Sequence, residues 1–356
     1  MSLVNKKEGE CTPVPVREGI LKLSAPLTLA FGGQLDAVDV AWRITGNPHA
    51  PLVAALGGIS AGRAVADVGR AEKGWWSGII GVGKALDLEQ YQVLGIDFLG
   101  GSGTTTGPRP GQVNFPTIGT ADQAEILKQV LAHVYDAVIP GKEDGTGGIQ
   151  PLTAIIGASY GGMVALAFAL RSPQLVERIV VISAADQPHP LSTAWRSVER
   201  AMVRYATARG DGPEGLRLAR ALAMTTYRSA REFEKRFDQP ATRIDGRYQF
   251  PVEAYLLARG DAYAANYVPE AFVCLSESID LHRIDASQIR VPATLVGIVE
   301  DQLVPIESMR RLQQRLGGPS RLVELSSLYG HDAFLKETDA LRQVFAAALN
   351  DNDGES

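Results

Sequence analysis

The chain has 356 residues, 45% of them hydrophobic and 21% charged, with a formal net charge of −5. That is globular composition, long enough for one large α/β domain with an insertion or for two domains. The acidic balance and the lack of a basic tract exclude a nucleic-acid binder, no apolar run approaches the ~20 residues of a membrane span, and Met1–Pro15 lacks the apolar segment of a secretory signal.

Cys11 and Cys274 stand far apart without metal spacing, which predicts reduced thiols in a cytoplasmic protein and no metal site. Pro26–Phe31 and Ala37–Ile44 are expected to pair antiparallel, Val38, Val40 and Trp42 alternating with Asp39 and Ala41. Further short apolar runs lie at Leu52–Leu56, Gln92–Asp97, Thr153–Gly157, Arg178–Ser183, Ala293–Val299 and Arg321–Leu325. The later runs are nearly continuous in Val, Ile and Leu, as in strands buried on both faces. Helical patterns separate them. Thr120–Val134 has Thr120 as its cap and Ile126, Leu127, Val130, Leu131 and Val134 on one face, and Ile306–Leu316 and Ala333–Leu349 follow later. This alternation predicts a mostly parallel sheet with right-handed crossovers. Gly-rich Pro140–Gln150 is expected to be an exposed loop, and the tail Asn350–Ser356 to fray.

From Asp186 to Ile289 the pattern changes. No strand stands out, and Arg196–Ala208, Gly215–Thr225 and Ser229–Arg236 read as amphipathic helices. An insertion of this length between two core strands predicts a helical lid over the sheet's C-terminal edge, where open α/β sheets bind ligands. The expected organisation is a core over residues 1–185, the lid over 186–289 and the rest of the core over 290–356.

The segment Ile155-Ile156-Gly157-Ala158-Ser159-Tyr160-Gly161-Gly162-Met163 combines a β run, G-x-S-x-G and a following helix, the context of an α/β-hydrolase nucleophile elbow. A serine hydroxyl needs a base to take its proton, and in that fold the chain order is Ser, acid, His. His49 and His133 precede the serine, and His189 and His282 fall in the lid. His331, in Leu328-Tyr329-Gly330-His331-Asp332, follows the last strand and is the expected base. Strand Ala293–Val299 runs into Glu300-Asp301-Gln302-Leu303-Val304-Pro305, making Asp301 the expected acid and Glu300 its rival. An oxyanion hole needs two backbone N–H groups. Tyr160 is the candidate after the nucleophile, and Leu56, with Gly57 as the alternative, is the candidate after Leu52–Leu56.

Two further segments are more distinctive: Gly74-Trp75-Trp76-Ser77-Gly78-Ile79-Ile80-Gly81-Val82-Gly83-Lys84-Ala85-Leu86-Asp87 and Leu99-Gly100-Gly101-Ser102-Gly103-Thr104-Thr105-Thr106-Gly107-Pro108. With Phe115–Ile118, the elbow, Thr226–Ser229 and Gly330–Leu335, they make the chain resemble the homoserine O-acyltransferase family within the α/β-hydrolases. The fold so expected is an eight-stranded, mostly parallel α/β-hydrolase sheet with an inserted helical lid. The resemblance implies ping-pong transfer of an acyl group from acyl-CoA to L-homoserine through Ser159, with His331 as base, in methionine biosynthesis. Acetyl-CoA is placed slightly ahead of succinyl-CoA, although an arginine such as Arg63 near the acyl pocket would favour a dicarboxylic group. Arg228 would bind the acceptor's carboxylate and Asp332 its amino group. Acyl-CoA is a co-substrate, so no cofactor is expected. The resemblance also implies a homodimer. The alternatives are a serine esterase with the same triad and an acyltransferase acting on another hydroxy amino acid such as serine.

Overall fold

The computed structural model describes residues 14–69, 72–112, 114–138 and 149–350. Cys11, most of the expected loop at 140–150 and the tail past Asn350 lie outside the described residues. Eight strands form one sheet: β1 (Val16–Lys22), β2 (Asp39–Gly46), β3 (Leu52–Leu56), β4 (Gln92–Ile96), β5 (Ala154–Ala158), β6 (Ile179–Ile182), β7 (Ala293–Ile298) and β8 (Ser320–Leu325). Their spatial order is β1-β2-β4-β3-β5-β6-β7-β8. Only β2 runs against its neighbours, and every pairing from β4 to β8 is parallel.

The expected partner of β2 is corrected. It pairs with β1, while Leu27–Thr28 closes a small separate ribbon with Gln34–Leu35. Strand β1 is held by polar contacts, Glu18 accepting from Arg43 of β2 at 2.8 Å and Arg17 donating to Gln92 of β4 at 2.7 Å. An edge strand of that kind leaves little apolar alternation to read.

Helices α1 (Thr120–Val138) and α2 (Tyr160–Arg171) flank the sheet. In α2, Met163, Val164, Ala165, Leu166 and Phe168 are all buried, as an apolar-all-round helix must be. Five helices intervene between β6 and β7: α3 (Pro190–Thr207), α4 (Gly212–Thr226), α5 (Ala230–Phe237), α6 (Pro251–Ala264) and α7 (Pro269–Leu281). Helices α8 (Ile306–Arg315) and α9 (Thr338–Asn350) return to the sheet. Residues of α1, α2 and α8 share the core on one face; Trp76, Ile79, Ile80 and Phe345 of α9 fill the other. This is the α/β-hydrolase architecture.

The inserted helices have a small core of their own, Val203, Leu216, Ala219 and Phe272. Contrary to expectation the insertion also holds a ribbon, Thr242–Ile244 with Arg247–Gln249. Its turn is Asp245-Gly246, both at positive φ, a two-residue hairpin signal. Every residue of the ribbon is exposed, so no period-2 burial pattern marks it. Helices α6 and α7 were not expected either; each opens on a proline, Pro251 and Pro269.

The helix expected over Ala333–Leu349 is split. A 3-10 turn, Gly330–Leu335, precedes α9. The Phe334 carbonyl, which a continuing helix would bond to the Thr338 N–H, accepts from the Trp76 indole at 2.8 Å instead.

Candidate active site

Ser159 directly follows β5 and directly precedes α2, with φ 54° and ψ −121°. A non-glycine residue held there is strained, and the surroundings must impose it. They do so by close approach. A Cβ on Gly157 would lie 2.3 Å from the Gly161 carbonyl oxygen, and one on Gly161 would lie 2.2 Å from that of Leu56. The Ser159 N–H donates to Ile182 O at 2.9 Å, pinning the elbow to the end of β6.

His331 Nε2 lies 2.9 Å from Ser159 Oγ, and His331 Nδ1 lies 2.7 Å from Asp301 Oδ2. The other Asp301 oxygen accepts the Leu303 and Val304 N–H groups at 2.8 and 3.0 Å, which fixes the carboxylate on the turn after β7. Glu300 turns the other way, to the Ser326 hydroxyl at 2.6 Å and the Ser327 N–H at 2.7 Å. Burial opposes charge on His331, but the charge and hydrogen bond of Asp301, with a further contribution from Asp332, outweigh it and raise its pKa above the usual 6.5. A serine hydroxyl, an imidazole and a buried carboxylate in line can pass a proton and stabilise the imidazolium that results.

The Tyr160 N–H, the first of α2, finds no acceptor among the described residues, while Gly161 N–H donates to Gly57 O at 2.8 Å. The Tyr160 side chain points into the core, its hydroxyl 2.7 Å from that of Ser278. Leu56 ends β3 as a buried residue, and the loop beyond it faces Ser159 through residues 58–61.

The tryptophans at 75 and 76 support these loops. They stack at 4.8 Å; Trp75 donates to Gly62 O at 3.0 Å and Trp76 to the histidine turn at Phe334 O. Thr105 and Thr106 accept from the backbone of Ala41 and Asp39 in β2, each at 2.9 Å. Both distinctive sequence blocks therefore brace the sheet edge.

Residues 58–338 match the family model of the α/β hydrolase fold. The chain is 38% identical to a homoserine O-succinyltransferase of Xanthomonas campestris pv. campestris over 94% of its own length and 84% of the relative's. It is 30% identical to a homoserine O-acetyltransferase of Clavibacter michiganensis subsp. michiganensis, over 94% and 93% of the two chains. The chain belongs to the homoserine O-acyltransferase family of α/β-hydrolase-fold enzymes. A solved homoserine O-acetyltransferase from Bacillus anthracis shares the fold, with a TM-score of 0.82 at 20% identity over 96% of this chain and 99% of that one.

In this member of the homoserine O-acyltransferase family, Ile59, Ser159, Tyr227, Ile279 and His331 line two adjoining chambers. One, about 200 Å³, is lined by residues 58–61, Trp75, Arg220, Asp332 and Leu335. The other, about 50 Å³ and more enclosed, is lined by Ser183, Arg196, Glu199, Phe272 and Ser276. Asp332 therefore lines the open chamber. Arg228 does not: it lines neither chamber and is occupied by Glu232 at 3.2 Å and by Asp332 at 3.0 Å. Its backbone carbonyl accepts from Gln302 at 3.0 Å, and Ser229 donates to Leu328 O at 2.5 Å, so this segment clips the lid to the histidine loop.

The arginine that reaches the open chamber is Arg220. It lies 3.2 Å from the Tyr227 hydroxyl, and its guanidinium stacks over the rings of Tyr227 and Tyr263. Sequence reading missed it, although a signal existed. Leu216, Ala219 and Ala223 are buried on α4, and an arginine on that inward stripe, seven residues before Tyr227, has to meet a purpose-built partner. Arg63 is also corrected: its guanidinium is tied to Asp97 at 2.6 Å and lines neither chamber.

Proposed function

We propose that this chain moves an acyl group from an acyl coenzyme A to the hydroxyl of L-homoserine, in methionine biosynthesis, through an ester on Ser159. Ser159 Oγ attacks the thioester carbonyl as its proton passes to His331 Nε2. The C–S bond breaks, the thiol leaves with that proton, and acyl-Ser159 remains. The homoserine hydroxyl then attacks the ester, its proton going to His331 and on to Ser159 Oγ as the ester bond breaks. Asp301 holds the imidazole and stabilises its charged form. The N–H of Tyr160, with that of Leu56 or Gly57, stabilises the oxyanion.

Arg220 takes the acceptor's carboxylate and Asp332 its ammonium, in place of the Arg228 role that the sequence suggests. One observation supports this reading most. The wall that carries Ser159 and His331 also offers a cation and an anion, Arg220 and Asp332, the charge pair of a zwitterionic amino acid. No cofactor enters this scheme, acyl-CoA being a co-substrate, and a homodimer in the cytoplasm is part of the same proposal. The test is thiol release from acetyl- and succinyl-CoA with L-homoserine, with L-serine and with no acceptor. Release that requires homoserine supports the reading; release indifferent to any acceptor makes the chain a hydrolase, and a preference for serine changes the acceptor.

A further inference from the structure

The enclosed chamber on the second side of Ser159 has chemistry the acceptor does not use. It begins at the sheet edge. Strands β5 and β6 end in register, Ala158 opposite Ile182, so Ser159 and Ser183 are the next residues on adjacent strands. Both are non-glycine residues at positive φ, 54° and 49°. Ser183 is 1% exposed, and its hydroxyl has no hydrogen-bond partner among the described residues. An unpaired buried hydroxyl on a strained residue needs an explanation, and Ser183 lines the same chamber as Ser159.

Arg196 supplies the second feature. On α3 it donates Nε and Nη2 to a single oxygen of Asp280, at 2.9 and 2.6 Å, leaving Nη1 without a partner among the described residues. Arg200 takes the other Asp280 oxygen at 2.6 Å. Two guanidinium groups thus share one carboxylate beneath the chamber wall. The remaining acid there, Glu199, is pushed up to about 7 by burial, against the pull of Arg196, Arg220 and Arg200, so near neutrality it cancels only part of the surplus.

Size agrees with charge. The chamber, about 50 Å³, exceeds the roughly 10–15 Å³ that one water-sized group needs, so it has room for several atoms of an acyl tail.

We propose that this chamber receives the far end of the acyl donor, a carboxylate held by Arg196 and Ser183, so that the protein draws succinyl rather than acetyl groups from coenzyme A. This rests on the acyl-transfer reading above and reverses the donor order that the sequence resemblance implies. The open chamber then serves the coenzyme A thiol and the acceptor in turn, while the acyl tail stays in the enclosed one between the two half-reactions.

The test begins with wild-type protein mixed with equal succinyl- and acetyl-CoA, the ester on Ser159 being identified by intact mass. Succinyl is expected to dominate. In steady-state assays with L-homoserine, Arg196→Leu lowers the ratio of kcat/KM for succinyl-CoA to that for acetyl-CoA by about tenfold to a hundredfold, the scale of a lost charged hydrogen bond. Arg196→Lys, which keeps the charge but not the fork, falls in between. Ser183→Ala removes a hydroxyl with no partner to lose and lowers the ratio by about threefold or more. An acetyl ester in the competition, or an unchanged ratio in Arg196→Leu and Ser183→Ala, overturns the proposal while homoserine-dependent transfer still stands. If thiol release ignores homoserine yet keeps the succinyl preference, the acceptor reading fails and the donor pocket stands.

Discussion

The Trp76 indole donates to the Phe334 carbonyl oxygen at 2.8 Å across 258 residues of sequence. That bond joins the loop system after β3 to the turn bearing His331, and it ends the 3-10 turn before α9 can begin. Trp76 is 1% exposed, and its ring meets Phe334 and Phe345 edge to face. Trp76→Phe keeps most of the ring and removes the donor. It should destabilise the fold by about 1–3 kcal/mol, because the carbonyl is left unsatisfied, and lower kcat more than it raises KM for either substrate. Denaturant unfolding with parallel steady-state kinetics checks both.

The two neighbouring acids at the end of β7 make a sharp comparison. Asp301→Asn removes the charge that orients and stabilises His331, and by analogy with other serine triads kcat should fall by about 10⁴. Glu300→Gln alters a contact to Ser326 and Ser327 on the loop before the histidine and should change kcat by less than about tenfold. Equal losses in the two variants would mean that Asp301 acts only as a brace.

The pH profile follows from the raised pKa of His331. The base must be neutral, so activity falls as pH drops through a value above 6.5, the reverse of what burial alone would produce. In Asp301→Asn burial remains while the raising charge is gone, so the acid limb of kcat/KM should move to lower pH. Stability has its own sign. A group whose pKa is raised by folding contributes stability that is fully present below its unfolded pKa and lost as pH rises through the folded one. The Asp301–His331 pair should therefore stabilise the protein most below about pH 6.5, which thermal unfolding of wild type and His331→Gln across pH can measure.

Arg220 and Arg228 should separate cleanly. Arg220→Leu is expected to raise KM for L-homoserine by about tenfold or more, through the loss of a charged contact, with a smaller effect on the acyl-CoA. Arg228→Leu leaves Asp332 without its paired guanidinium and Glu232 with only the more exposed Arg236, and should cost about 3 kcal/mol in stability. Homoserine KM and the unfolding midpoint, measured on both variants, distinguish binding from bracing. A homoserine defect in Arg228→Leu at unchanged stability would restore the role that the sequence suggests.

Much of the site was readable because it is local. Glycines packed around one serine, a strand before it and an apolar helix after it are dictated by steric limits within a few residues, and these limits are written in the chain. The order of nucleophile, acid and histidine followed from the sheet, which the apolar runs at β3 to β8 made legible. The turn after β7 already put Asp301 ahead of Glu300; the structure adds that the two side chains leave it in opposite directions, Asp301 to His331 and Glu300 to Ser326 and Ser327.

The chain's own pattern determined the parallel sheet, the elbow and the identity of the histidine, all consequences of burial periodicity and backbone sterics acting over short distances. Tertiary structure alone decided that Arg220 rather than Arg228 reaches the open chamber, that Val16–Lys22 completes the sheet edge, and that Ser183 and Arg196 meet in one enclosed space. Those relations depend on which faces of separate helices are brought together and on where charges find partners. Such pairings cost or stabilise only once water has been excluded, so no stretch of sequence taken by itself records them.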